Sequence, residues 1–557
     1  MELHTDIPLP LERLYFWERA RPHDLYMTQP VGNETNVDYT WQRTADEVRR
    51  MAAYLQSLGL PPGSKVGILS KNCAHWIMSD LAIWMAGYVS VPLYPTLSAD
   101  TIRYILDHSE VKVLFVGKLD GWEGMKPGVP ADLHCISYPL SPPTDYISWD
   151  SIVASTAPMT DSPIRKHSEL ATIVYTFGST GQPKGVMLTF NNIAYAARGV
   201  ISEIEVHRDD RVLSYLPLSH VFERFVVEMG SLYAGFRLYF AESLDTFVRD
   251  LKAARPTLFL AVPRIWTKFQ LGVFEKMPKE KLDKLLRIPL LSKLIKKKVL
   301  KGLGLHHVRF AGSGSAPLSD EIMNWYRSLG LELLEGYGMS ENFAYSHMTK
   351  PGRSRVGYVG EPLPGVEVKL SPEKEVLVKS PATMLGYYKD EEKTAEAFTE
   401  DGFLRTGDLG EIDESGRLRL IGRIKEQFKT SKGKYVAPAP IENRILAHPM
   451  VEMACVAGAE FPQPHCLIML SEEAMRLKKE EAGRKSVEEN LSLLLREVNK
   501  TVDPHESLGF MVVVNDQWGM ENNFLTPTMK LKRNIVEETY KPYLNDWYQR
   551  REPVIWQ

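Results

Sequence analysis

The chain has 557 residues, 44% hydrophobic and 25% charged, with 67 basic against 70 acidic side chains for a net charge of −3. That length exceeds one compact domain, so at least two are expected, and the near-neutral balance excludes a global attraction to nucleic acid. The four cysteines, Cys73, Cys135, Cys455 and Cys466, form no C-x-x-C pair, which argues against a zinc site or a disulfide framework and suits a reducing compartment. The opening residues have no basic start and no apolar core, so no secretory signal is expected. The longest apolar run, 81–94, is too short for a bilayer span, and a cytoplasmic location is expected.

Thr40 precedes a helical pattern over 41–58, carried by Ala45, Val48, Met51, Leu55 and Leu58, and Gly59 is placed to stop it. Residues 65–70 read as a buried strand, followed by a helix through Trp76 and Leu81 and a strand at 88–93. The unit repeats as helix 101–108 and strand 111–115. Such alternation predicts a mostly parallel sheet covered on both faces. The stretch 117–163, rich in Pro, Gly and Ser, reads as loops. Then Ile173, Val174 and Tyr175 end a buried strand, and Thr176-Phe-Gly-Ser-Thr-Gly-Gln-Pro-Lys-Gly185 follows. Glycines let backbone N–H groups approach an anion, hydroxyls add donors, and Lys184 adds a mobile positive charge. The loop is built for a polyphosphate. It is not the common phosphate loop, because Gly185 follows Lys184 where that loop needs Ser or Thr.

Further along, 191–200 is expected as helix and 211–215 as strand, leading into Leu216-Pro-Leu-Ser-His220-Val-Phe222-Glu-Arg224. A strand and loop at 256–263 run into Val-Pro-Arg-Ile-Trp266. Between 276 and 301 leucines alternate with lysines. The pattern, broken at Pro289, favours an amphipathic surface helix packed on its own domain; peripheral contact with an anionic membrane is the competing reading. Four blocks then stand out: Val308-Arg-Phe-Ala-Gly-Ser-Gly-Ser315-Ala316, Glu335-Gly336-Tyr337-Gly338-Met-Ser340-Glu341, Asp401-Gly-Phe-Leu-Arg-Thr-Gly-Asp408, and Ile421-Gly-Arg423-Ile-Lys425-Glu426. The chain closes with a basic loop around Gly433 and with Leu525-Thr-Pro-Thr-Met-Lys530-Leu-Lys-Arg533.

Together these segments resemble the adenylate-forming (acyl-activating) enzymes along nearly the whole chain, closest to the long-chain fatty-acid CoA ligases. The resemblance implies an α/β fold: a large N-terminal domain, 1–423, with mostly parallel sheets layered with helices, and a small mobile α+β lid, 424–557, hinged at Lys425. It implies ATP contacts from Thr176, Gly178, Ser179, Thr180, Gly181 and Lys184, from Ser315 and Ala316, and from Gly336, Tyr337, Gly338 and Ser340. Asp408 and Arg423 take the ribose, Glu341 the Mg2+ ion, and Lys530 completes the first reaction. His220 and Phe222 are assigned to the wall beside the acid, against plain packing as the alternative, and Gly433 to the pantetheine path of coenzyme A. Phe177, Ser340, Glu426 and Met529 stand where the family more often has Ser, Thr, Asp and Gly. The implied activity joins a medium- to long-chain fatty acid to coenzyme A through an acyl-adenylate, releasing AMP and pyrophosphate. Transfer to a carrier protein, arrest at the adenylate, and a non-catalytic sensor stay open. Oligomeric state is also open, a dimer included.

Overall fold

The computed structural model describes residues 3–177, 182–316, 318–526 and 529–557. The first long helix, Trp41–Ser57, begins where the Thr40 hydroxyl accepts the Arg43 N–H at 3.2 Å, satisfying one of the orphan donors of the first turn. Ala45, Val48, Met51 and Leu55 form its buried stripe. The helix Ala74–Met85 is apolar apart from His75, Ser79 and Asp80 and is buried at every position. A helix of that composition belongs in an interior, where it lies between the first helix and the main sheet.

That sheet is built around Lys65–Leu69, which pairs in parallel with Val89–Leu93 on one side and Val111–Val116 on the other. His134–Ser137 and Ile147–Ser148 continue it in parallel beyond Val111–Val116. On the opposite flank Leu170–Thr176 joins in parallel, then Lys184–Thr189 and Gly386–Tyr387 in antiparallel. The expectation of loops throughout 117–163 is corrected here. The segment carries those two short strands and the helices Trp122–Met125 and Trp149–Ser155. Strands of four and two residues at a sheet edge are too short for alternation to register among prolines and glycines.

A second sheet aligns Arg211–Ser214, Arg237–Phe240 and Leu25–Pro30 in parallel, with Asn36–Thr40 antiparallel at its edge. A third aligns Leu258–Ala261, Phe310–Ser313 and Leu333–Tyr337 in parallel. An antiparallel sheet, Glu367–Leu370, Glu375–Lys379, Leu404–Ile412 and Leu418–Arg423, follows. The basic stretch forms two helices, Lys279–Leu286 and Pro289–Leu303. Pro289 opens the second of them, where its missing N–H costs no helical bond.

The C-terminal part pairs Val451–Ala457, His465–Leu470, Met511–Val513 and Val554–Trp556 and covers them with Pro438–Ile445, Glu481–Asn499 and Arg533–Tyr540. Buried apolar clusters of the first part draw on residues 7–418, and those of the second on 436–555. The whole is an α/β fold with a large N-terminal part and a smaller C-terminal one.

Candidate active site

Thr176 ends one strand and Lys184 begins the next, and the two residues face each other in antiparallel register. Gly178, Ser179, Thr180 and Gly181, singled out in the sequence, lie outside the described residues. Lys184 holds its ammonium 4.8 Å from the centre of the Tyr387 ring. Desolvation, then Lys393 and Lys425, lower its pKa, while Asp390 and Glu341 pull the other way. The Tyr387 hydroxyl donates to Glu341 Oε1 at 2.8 Å. Among the described residues no protein donor takes Glu341 Oε2. One tyrosine therefore ties the first loop to the acidic block.

Glu341 sits in the turn Ser340–Asn342 directly after the strand Leu333–Tyr337. Gly338 is required there by crowding, since a Cβ would lie 2.4 Å from the carbonyl carbon of Ala344. Tyr337, at the strand end, donates its hydroxyl to Asp408 Oδ2 at 2.7 Å. Arg423 donates from Nε to Asp408 Oδ1 at 2.9 Å, and the two are opposite one another across the hairpin of Leu404–Ile412 and Leu418–Arg423. Asp408 is buried and held from both sides. Its two oxygens are oriented before any ligand arrives. Burial, then the Asp408 charge, push the Tyr337 phenol well above its ordinary range, so it remains a donor.

Lys530 belongs to the C-terminal part, yet its electrostatic neighbours are Arg423, Asp408, Glu426 and Glu341. Water reaches its side chain, but the surrounding protein desolvates the ammonium, and this with Arg423 lowers its pKa. The loop is closed on itself: Thr526 N–H donates to the Lys530 carbonyl at 2.8 Å, and Lys530 N–H to the Thr526 hydroxyl at 3.0 Å. Met529 has φ +62°, a left-handed value that accounts for glycine as the usual residue there. Arg533, three residues on, donates from Nη2 to both oxygens of Glu442 at 2.7 and 2.9 Å and anchors the loop.

Burial, with a smaller contribution from Lys530, depresses the His220 pKa to about 4, so its ring is neutral at pH 7. Its Nδ1 accepts the Phe222 N–H at 3.1 Å, which leaves the proton on Nε2. Tyr94 packs edge-on against both His220, at 6.5 Å, and Phe177, at 5.6 Å. Phe222 lies against the glycine turn: a Cβ on Gly314 would come 3.3 Å from its ring and 3.4 Å from the Gly336 carbonyl. Ser315, next in that turn, has φ +68°, and both it and Ala316 are exposed. Behind this wall the π-helical segment Arg224–Met229 starts with Arg224, fully buried between Asp80 and Glu228 and donating to the Thr172 hydroxyl at 2.9 Å.

The structure thus brings together Lys184, Glu341, Tyr337, Asp408, Arg423, Lys530, His220 and Phe222. Lys425, exposed in the turn Ile424–Glu426, stands close enough to act on Lys184. Gly433 is different. It occupies an exposed turn at φ +78°, with its N–H donating locally to the Thr430 carbonyl at 2.9 Å, so backbone conformation alone requires glycine. Tyr387 and Tyr94 are site residues the sequence did not disclose. Neither stands in a recognisable motif, and only the pairing of Gly386–Tyr387 with Lys184–Thr189 brings Tyr387 in. Among the described residues no group of three or more His, Cys, Asp or Glu side chains is arranged to hold a metal ion. A single free carboxylate oxygen on Glu341 is nonetheless what Mg2+ needs when phosphates supply the remaining oxygens.

The sequence matches the family described as AMP-binding enzyme over residues 17–388, and the AMP-binding enzyme C-terminal domain over 425–552. It is 30% identical over 587 aligned residues to the long-chain-fatty-acid–CoA ligase FadD15 of Mycobacterium bovis, covering 96% of both chains. It is 31% identical to the peroxisomal long chain acyl-CoA synthetase 7 of Arabidopsis thaliana, over 94% of this chain and 83% of that one. The fold is similar to the adenylation domain of a carboxylate reductase from Mycobacterium chelonae, with a TM-score of 0.80 at 23% identity over 97% and 91% of the two chains. It is also similar to the anthranilate CoA ligase AuaEII in complex with anthranoyl-AMP, with a TM-score of 0.78 at 20% identity over 98% and 99%.

Proposed function

The chain belongs to the AMP-binding enzyme family and is an acid–thiol ligase, and on that premise we propose that it joins a medium- to long-chain fatty acid to coenzyme A at the expense of ATP. The convergence of Lys530 with Glu341, Asp408 and Arg423 carries this reading, because it gathers cations and oriented carboxylates from both parts of the chain into one cleft. In the first step a carboxylate oxygen attacks the α-phosphorus of ATP, and the bond from that phosphorus to the bridging oxygen breaks to release pyrophosphate. No general base is needed, since a carboxylic acid is already ionised at neutral pH. The barrier lies in bringing anion to anion. Lys184 and Lys530 offset the charge gathering on the phosphoryl oxygens, as fixed cations do best where water is scarce. Asp408, held by Tyr337 and Arg423, accepts the ribose hydroxyls. Neutral His220 offers its Nε2–H to the acid without adding a competing charge. Glu341 would hold Mg2+ through Oε2, and the ion when bound would neutralise phosphate charge.

In the second step the thiol sulfur of coenzyme A attacks the acyl carbon as its bond to the AMP oxygen breaks, giving the thioester and AMP, with the thiol proton released to water. The incoming thiol needs the space that Lys530 fills. We therefore assign 1–423 as the nucleotide- and acyl-binding domain and 424–557 as a lid turning on Lys425, with Gly433 on the pantetheine side. The relatives named as long-chain ligases support the choice of a fatty acid. The test is acid-dependent ATP–pyrophosphate exchange across short to long carboxylic acids, followed by thioester formation with coenzyme A against acyl carrier protein. Exchange that peaks with fatty acids and a product on coenzyme A support the proposal. A product on carrier protein alone, or an adenylate that goes no further, overturns it.

A further inference from the structure

The two helices Lys279–Leu286 and Pro289–Leu303 form a basic hairpin on the surface of the large domain. Residues 276–301 hold ten lysines and arginines against two acids, Glu280 and Asp283, a balance of +8 in a chain whose total is −3. Among the described residues, Lys279 is the member of this stretch that forms an ion pair, with Glu321. The inward face of the second helix is accounted for: Ser292 is buried, and Ile295, Val299 and Leu303 pack against the domain's apolar cluster.

The outward face is not what an ordinary surface helix carries. Leu290 is 86% exposed and Leu294 67%, one turn apart on the same side, and Ile288 at the hairpin turn is 50% exposed. The same stripe continues as Lys297 and Lys301, with Lys293 and Lys298 on its flanks, all exposed. The helix is therefore apolar on two opposite faces, and only one of them is covered. Its exposed leucines cluster at the hairpin tip and its lysines lie behind them. An apolar tip backed by cations matches the order of layers met at a bilayer, with anionic headgroups outside and acyl chains beneath. A second copy of this chain is the competing occupant, and the oligomeric state of L290D/L294D separates it from a lipid surface. Among the described residues no helix is long and apolar enough to cross a membrane, so the contact is peripheral.

We propose that this hairpin docks the protein on anionic phospholipid surfaces, with Ile288, Leu290 and Leu294 entering the bilayer and Lys293, Lys297, Lys298 and Lys301 meeting the headgroups. The proposal concerns where the protein sits and not what it catalyses, so it is read by binding. The full-length protein is floated with vesicles of phosphatidylcholine alone or with about one third phosphatidylglycerol, at low and high salt. Binding is expected on the anionic vesicles and is expected to weaken with salt. Each lysine near such a surface is worth about fivefold in binding, so K293E/K297E/K298E should lose on the order of 100-fold or more. L290D/L294D should lose at least about tenfold, since the apolar burial is forfeited. Both variants should melt as the wild type does and keep its activity in detergent-dispersed substrate. As an independent reading, Leu290→Trp should shift its fluorescence to the blue on anionic vesicles only. Equal binding to neutral vesicles, absence of wild-type binding, unchanged binding by either variant, or loss of a dimer in L290D/L294D would each overturn the proposal.

Discussion

Removing the Lys530 ammonium by Lys530→Ala is the perturbation that most directly probes the cleft. A unit charge about 4 Å from a phosphoryl oxygen, at an effective dielectric of about 20, is worth roughly 4 kcal/mol. Part of that is offset in the resting cleft, where Asp408, Glu426 and Glu341 already attract the lysine while Arg423 repels it. What is left is comparable to the loss of one preorganised donor at a developing oxyanion, about 2.7–4 kcal/mol or roughly 10²–10³ in rate. The assay separates the half-reactions. Acid-dependent ATP–pyrophosphate exchange reports the first, and thioester formation from a preformed acyl-adenylate and coenzyme A reports the second. Exchange should fall by that factor while thioester formation changes by less than about threefold. Melting should be unchanged, because the side chain is solvent-exposed. Lys530→Arg, which keeps the charge but not its shape, should recover part of the exchange. A loss of exchange below about tenfold, or an equal loss in both halves, would refute the assignment.

Three further outcomes are expected. Lys425→Pro fixes one backbone torsion in the turn Ile424–Glu426 and should spare exchange while slowing thioester formation at least about tenfold; parallel losses would show that the lid does not turn there. Arg224→Met leaves the buried carboxylates of Asp80 and Glu228 without their cation and should destabilise the large domain by about 3–5 kcal/mol in denaturant titration, whereas a cost under about 1 kcal/mol would mean that the two carboxylates are satisfied without it. Burial depresses the pKa of His465 to about 4, so the unfolded chain takes up a proton near the ordinary histidine value of about 6.5 while the folded chain does not. The stability held above that value is lost as pH falls toward 4, by up to about 1.4 kcal/mol per pH unit relative to His465→Gln. Melting curves of wild type and variant that stay parallel between those limits would contradict it.

How far the sequence reached follows from how local each signal is. Thr40 and the apolar stripe behind it lie within one helix, so both end and face of Trp41–Ser57 were legible. Asp408 and Arg423 are only 15 residues apart and meet across a single hairpin, which is why two short blocks were enough to bring them together. The glycine turns and Lys184 are equally local. The short edge strands after residue 117 were missed because their pairing partners, not their own composition, make them strands. Residues 276–301 show the same limit in another form. Periodicity gave an amphipathic helix, but which apolar side chains face the domain depends on where the neighbouring cluster lies, and Leu290 and Leu294 turned out on the far side.

Tyr387 carries this furthest. It lies about two hundred residues from Lys184, yet its ring underlies that ammonium and its hydroxyl holds Glu341, because an edge strand of two residues pairs beside the loop. By occupying Oε1 it leaves Oε2 as the oxygen available to a hard cation, and by sitting under Lys184 it restricts where that lysine can reach. The roles that the resemblance implies and that we propose, one lysine for phosphate and one glutamate for metal, would thus be kept apart by a residue that belongs to neither motif. Met529 makes the converse point. Its left-handed backbone shows that a position usually filled by glycine can hold a side chain when Thr526 closes the loop around it and Arg533 anchors the next turn. A departure from a motif is tolerable where tertiary bonds supply what the motif residue supplied locally, and that exchange is visible only once the chain is folded.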